Sequence, residues 1–132
     1  FATNYNNSAA PTSLDHSDLQ AAVFIAPSAG RISNVKIQGS DASGVGYDDA
    51  FKFHFYKGAM VNDGTTASLT LMDSTTSITP PNSGRSWSHT EDWSSGMDFA
   101  ENDMLFIFFR KDSAGSAQTV GFVMNVNGYL TT

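Results

Sequence analysis

Short apolar runs separated by turn residues make up most of the chain from Gln20 onward. In Phe51–Tyr56 phenylalanine occupies every second position, and Lys52, His54 and Tyr56 fill the positions between. In an extended strand this spacing places the phenylalanines on one face and the other three side chains on the opposite face. No segment has a helical period of useful length, so the pattern predicts strands.

The other runs predict an antiparallel sandwich of seven or eight strands. The remaining predicted strands are Ala21–Ala26, Arg31–Gln38, residues 67–72, Thr75–Thr79, Ser86–Trp93, Met104–Phe109 and Thr119–Val126. Turn residues lie between them, as at Asn62-Asp63-Gly64 and in residues 80–84. Ile32 falls out of step with Val35 and Ile37, which indicates a bulge near Ser33.

The 132 residues suit one folded unit. Residues 1–18 are polar and without period, and we interpret them as an extended arm or linker that needs a neighbour to order it. Residues 19–132 form the predicted sandwich domain. The first residue is Phe and not Met, which indicates a fragment, a processed product or a numbering that omits residues.

Met104–Phe109 departs from the alternating pattern, because it is apolar at every position. A sandwich strand with one solvent-exposed face should alternate between apolar and polar residues. Because this strand does not, something must cover its outer side. Two interpretations follow: either the chain's own loops cover it, or it is an oligomer interface built from Met104, Phe106, Phe108 and Phe109.

Charge and composition limit the classes of partner that we expect for this chain. The net charge is −6, and the seven basic residues are scattered, so no patch for a phosphate backbone is predicted and nucleic acid is not an expected partner. No apolar run approaches the ~20 residues of a membrane helix, so we expect no membrane insertion. Cysteine is absent, which excludes disulfides and Cys-based zinc sites.

The three histidines suggest catalysis or metal binding only weakly. His54 could bind a cation at a symmetry axis, but a half-exposed strand histidine is the simpler interpretation. His89 and Glu91 share one face of a strand, yet neighbouring Ser86 lacks the turn that usually presents a nucleophile. His16 lies between aspartates in the polar arm. We therefore predict no catalytic residue, no metal site and no cofactor, and we expect that the chain is not an enzyme.

Two features could still face a ligand. The loop Asp41–Asp49 offers carboxylates that suit Ca²⁺, although it lacks the spacing of an EF-hand and a solvated acidic loop is the simpler interpretation. Tyr47, Trp87 and Trp93 are candidate ligand-facing aromatics, because flat rings stack on sugars. The alternative is that the tryptophans fill the core and cap a sheet edge.

Three segments carry a family resemblance. Residues 23–37 (VFIAPSAGRISNVKI) have an apolar strand, Ala-Pro, a glycine, a basic residue and a second apolar strand. Residues 53–58 (FHFYKG) with the turn at residues 62–66 (NDGTT), and residues 99–104 (FAENDM), continue the pattern. In order and spacing these segments resemble small jelly-roll-like sandwich domains in tail-fibre and decoration proteins of marine tailed phages.

This resemblance implies a trimeric, non-enzymatic module on the surface of a virion, made in the host cytoplasm. Its expected partners are copies of itself and other virion proteins, with a surface glycan as a possible ligand. A carbohydrate-binding module or host-receptor adhesin is the alternative function. The family supplies no motif of functional residues, so none is assigned from it.

Overall fold

The computed structural model describes residues 2–4, 13–15, 24–41, 50–59, 66–79, 86–111 and 120–131. These residues contain ten strands and no helix. The strands are β1 (Ala2–Asn4), β2 (Ser13–Asp15), β3 (Phe24–Ile25), β4 (Gly30–Asp41), β5 (Phe51–Ala59), β6 (Thr66–Ser68), β7 (Thr70–Ser74), β8 (Ser86–Phe99), β9 (Asp103–Lys111) and β10 (Val120–Leu130). The prediction of an all-β antiparallel sandwich is confirmed, whereas the jelly-roll order of its strands stays a prediction.

Two sheets form the sandwich. The first has the order β1-β9-β5-β7, and β3 pairs with the same edge of β9 as β1 does, nearer the start of β9. The second has the order β10-β4-β8. All these pairs are antiparallel except β1 with β9. A separate ribbon joins β2 to β6.

The predicted phenylalanine face lies between the two sheets. Phe51, Phe53 and Phe55 are almost completely buried there, opposite Val35 and Ile37 on the central strand of the second sheet. Each buried Phe removes a large apolar area from water, so the alternation in β5 supplies much of the core.

The bulge near Ser33 is confirmed. Ser33 is the extra residue of β4, because Asn34 pairs with Asn127 whereas Ile32 pairs with Gly128. The sheet register shifts at the same point on the other side, where β8 inserts residues 93–96. Gly96 has φ 67°, a left-handed conformation that glycine adopts without strain. The shift returns Ile32 to the buried face, which explains the broken parity in the sequence.

The outer face of the first sheet is buried as well. Met104, Phe106 and Phe108 on β9 are 6, 5 and 3% exposed within a single chain. Strand β6 lies against β5 on this sheet, and a side chain at Gly58 would meet both Ser68 and Leu69. The chain's own segments therefore cover this face.

This arrangement corrects two predictions. His54 is not a half-exposed strand histidine but is 7% exposed, because it shares the covered face. Met104, Phe106 and Phe108 have little area left to offer a second copy, and Phe109 is partly buried and packs on the core, so the reason for an oligomer interface on these residues is removed.

Strand boundaries differ from prediction in three places. Residues 75–79 form no strand but a single bridge, in which Ile78 pairs with Phe51. Strands β8 and β10 extend past their predicted ends, to Phe99 and Leu130. Within residues 1–18, β1 and β2 pair with other parts of the chain. The turn at residues 62–64 lies outside the described residues.

Candidate binding surface

Aromatic contacts show which strands face one another across the core. Phe122 on β10 lies 4.9 Å from Phe53 and 6.0 Å from Phe109 between ring centroids. At the other side of the sandwich, Trp87 and Trp93 on β8 pack against phenylalanines of β5. Strand β10 therefore lies over β9, so the edge of the second sheet formed by β10 is on the same side of the molecule as β1 and β3.

An apolar cleft of about 500 Å³ opens on this side. Its walls come from both sheets and include Ile32, Phe55, Met72, Phe99, Leu105 and Ile107. Its rim includes Phe24, Val126, Tyr129 and Leu130, all of which are exposed. We call the cleft, its rim and strand β10 the open flank.

Charges at the edge of the open flank are paired. Arg31 donates two hydrogen bonds to Asp98, from Nε to Oδ1 at 2.5 Å and from a terminal nitrogen to Oδ2 at 2.9 Å. Lys57 Nζ donates to the main-chain oxygen of Asp98 at 2.8 Å and so links the two sheets. The hydrogen bond from Arg31 holds the pKa of Asp98 below its usual value. Because Arg31 is already neutralised by Asp98, the flank has no strong attraction for a free anion.

Strand β10 is an edge strand without charged residues or prolines. It pairs with β4 along its whole length and has no strand on its other side among the described residues. Val123 is 75% exposed, and the strand contains no charged residue and no proline. Natural edge strands usually carry charges, prolines or bulges that prevent pairing with another chain. Apart from the bulge opposite Ser33, β10 has none of these.

A second cluster lies at the opposite edge, between β8 and the segment after β7. Glu91 Oε2 accepts hydrogen bonds from Thr76 N at 2.7 Å and from Thr76 Oγ1 at 2.8 Å. His89 Nε2 lies 3.1 Å from the same oxygen. Burial raises the pKa of Glu91, but the bonds from Thr76 and the contact with His89 outweigh it and hold that pKa below its usual value.

The contacts in this cluster are those of residues that hold two segments of the chain together. The Glu91 carboxylate accepts from the backbone N–H and the hydroxyl of Thr76 in the segment after β7, which is the role of a side-chain cap. The hydrogen bond recorded for His89 goes to Glu91 and not to Ser86 or Ser88. The two residues share a face as predicted, and the bonds between Glu91 and Thr76 tie β8 to the segment after β7.

The predicted ligand-facing tryptophans belong to the core. Trp87 is 8% exposed, and its ring centroid lies 5.0 Å from that of Phe51. Trp93 is partly buried and packs edge-on against Phe55 at 5.2 Å. Neither ring lies on an exposed platform, although Trp87 lines a surface pocket together with Ser86 and Ser88, so the sugar-stacking role stays a prediction. Tyr47 lies outside the described residues.

The other polar candidates do not converge on a site. Within the described ranges no group of three or more His, Asp or Glu side chains could hold a metal ion. His54 lies on the covered face, where its Nδ1 is 2.6 Å from Ser74 Oγ. His16 and residues 42–49 of the acidic loop lie outside the described residues. The described residues also include no helix that is long and apolar enough to cross a membrane.

Comparisons with family models, with curated proteins and with solved structures found no match to this chain.

The open flank was not predicted from the sequence. Its residues come from distant segments, such as Phe24 on β3 and Leu130 at the end of β10, and only the packing of the two sheets brings them together. The sequence did contain one signal. The eleven residues Val120–Leu130 include no charged side chain, although the chain has a net charge of −6.

Proposed function

We propose that this chain is a non-enzymatic structural domain that acts by associating with copies of itself on the surface of a virion. The observation that carries the proposal is the open flank, an exposed apolar surface beside an unprotected sheet edge. Such surfaces are uncommon on monomers and are typical of sites of protein association.

The virion setting rests on the resemblance to phage fibre and decoration domains alone. That resemblance comes from the order of turns and apolar strands in residues 23–37, 53–66 and 99–104. The resemblance also implies a jelly-roll topology, a trimer and contacts with other virion proteins, whereas the self-association proposed here does not depend on the number of copies. The β-sandwich architecture agrees with the resemblance but is shared by many unrelated proteins.

Light scattering on the purified chain tests self-association directly. A monomer has a mass of 14.1 kDa, so an oligomer at micromolar to millimolar concentration is distinguished by a mass that is a multiple of this value. We expect a mass that rises with concentration toward such a multiple. A mass that stays at the monomer value up to a chain concentration of about 1 mM would mean a dissociation constant weaker than about 1 mM and would contradict the proposal.

A further inference from the structure

We propose that two copies of this chain associate through the edge of β10 that no described strand pairs with, and that the two β10 strands pair antiparallel about a two-fold axis. This inference rests on the proposed self-association and assigns the contact that produces it. The pair would join two three-stranded sheets into one continuous sheet of six strands, with each free backbone N–H and C=O of β10 meeting its counterpart on the other copy.

The chemistry of β10 favours a second copy over other occupants. The chain has a net charge of −6, so two copies repel each other over most of their surfaces. Strand β10 has no charge from Val120 to Leu130, so like charges do not oppose each other where the two edges meet. A free strand edge is also complementary to itself, because antiparallel pairing matches its donors with its own acceptors.

The opposite edge of the same sheet, formed by β8, has features that prevent pairing with another strand. Strand β8 carries exposed Asp92 and Asp98, and the four-residue insertion ending at Gly96 distorts its pairing register. Charges and bulges of this kind block edge-to-edge pairing. Strand β8 combines charges with a four-residue insertion, whereas β10 has no charge and only the one-residue register shift at Asn127 and Gly128, so the contact is assigned to β10.

The exposed apolar rim of the cleft is continuous with this edge. Val126 and Leu130 on β10 both line the cleft, and Phe24 lies across it on β3. A copy paired along β10 would lie beside this rim and shield part of it from water. An apolar ligand could also fill the cleft, but it would leave the hydrogen-bonding edge of β10 unpaired.

A charge-swap experiment tests the pairing. Val123 and Asn125 are exposed on the outer face near the middle of β10, so substitutions there leave the core intact. V123K/N125K and V123D/N125D each place like charges near each other across the two-fold axis. We expect each variant to raise the dimer dissociation constant about tenfold or more in sedimentation velocity. An equimolar mixture of the two variants should recover wild-type association as a heterodimer.

The matched control places the same charges on β8. Ser88 and Thr90 are exposed on the outer face of that strand, and S88K/T90K and S88D/T90D should associate as the wild type does. Circular dichroism and thermal unfolding of every variant, carried out at a concentration where all are monomeric, establish that each one folds.

The outcomes separate this inference from the proposed function. Loss in both β10 variants with recovery in the mixture supports the pairing. Wild-type association that β10 variants leave unchanged, or that only β8 variants weaken, overturns the inference and leaves self-association standing. A wild-type mass of three copies overturns the two-fold pair, since that contact closes with two, and supports the trimer. A wild type that stays monomeric overturns both.

Discussion

Gly39 makes room for the indole ring of Trp87 over the central strand of the second sheet. It pairs with Trp87 on one side and with Phe122 on the other, and a Cβ at this position would overlap the indole ring of Trp87. We expect Gly39→Ala to lower the free energy of unfolding by about 1–3 kcal/mol, because the ring must leave its packed position against Phe51. Urea unfolding followed by tryptophan fluorescence measures the loss. Gln38→Ala, on the exposed face next to it, should change stability by less than about 0.5 kcal/mol.

Glu91 contributes stability that depends on pH. Because the pKa of its carboxyl is lower in the folded chain than its ordinary value of 4.5, its contribution is present above that value and is lost as the pH falls through the lower folded value. We expect Glu91→Gln to lower the free energy of unfolding by about 1 kcal/mol at pH 7, since an amide accepts the bonds of Thr76 more weakly than a carboxylate does.

The measurement is urea unfolding of both proteins from pH 7 to pH 3. The difference between wild type and E91Q should begin to shrink near pH 4.5, where the carboxyl of the unfolded chain takes up a proton, and should continue to shrink as the pH falls through the lower pKa of the folded chain. Asp92→Asn alters an exposed carboxylate on the opposite face and serves as the control. A difference that is constant across this pH range would show that the charge of Glu91 has no part in its role.

At the scale of elements, β9 is the central strand of a layered structure. Its segment Met104–Phe109 is apolar at every position because the two faces of the strand pack against two different layers, the second sheet on one side and the chain's own covering segments on the other. We expect Phe108→Ala, which changes a 3% exposed residue of the covered face outside the cleft, to lower the free energy of unfolding by about 3–5 kcal/mol and to leave the association constant of the folded protein unchanged.

Chemical unfolding and sedimentation of the same variant provide both readouts. Leu71→Ala removes an exposed side chain from edge strand β7 and should cost less than about 1 kcal/mol. If F108A weakened association while unfolding like the wild type, the outer face of the first sheet would be an interface after all.

How far the sequence predicts this fold depends on the range of the interactions involved. The alternation in Phe51–Tyr56 and the bulge at Ser33 were predictable, because each follows from the side-chain period of neighbouring residues. The burial of His54 was not, because it depends on a layer contributed by distant segments. The same applies to Trp87 and Trp93: periodicity placed them on one strand face, but only the pairing of sheets shows that this face points inward.

For the whole molecule, the net charge opposes association between copies, whereas the pairing of strand edges favours it. A chain with net charge −6 and pI near 4.6 repels its copies at pH 7, whereas the proposed β10 contact is uncharged. Added salt screens the repulsion between copies and leaves hydrogen bonds and apolar contact largely unaffected. We therefore expect the dimer dissociation constant to fall as the salt concentration rises from about 0.02 M to about 0.3 M, where the screening length drops below about 10 Å.

Sedimentation velocity at these two salt concentrations checks this expectation, with V123K/N125K measured alongside. In that variant two added lysines on each copy reduce the net repulsion but oppose each other at the edge, so salt should strengthen its association as well. Association that weakens with salt would indicate a contact between complementary charges. An acidic chain could build such a contact only from its few basic side chains, and of these Arg31 is already engaged by Asp98. A fall in the dissociation constant would therefore place the contact on an uncharged surface, and β10 is the longest uncharged edge strand among those described, since β1 and β3 are also uncharged but have only three and two residues.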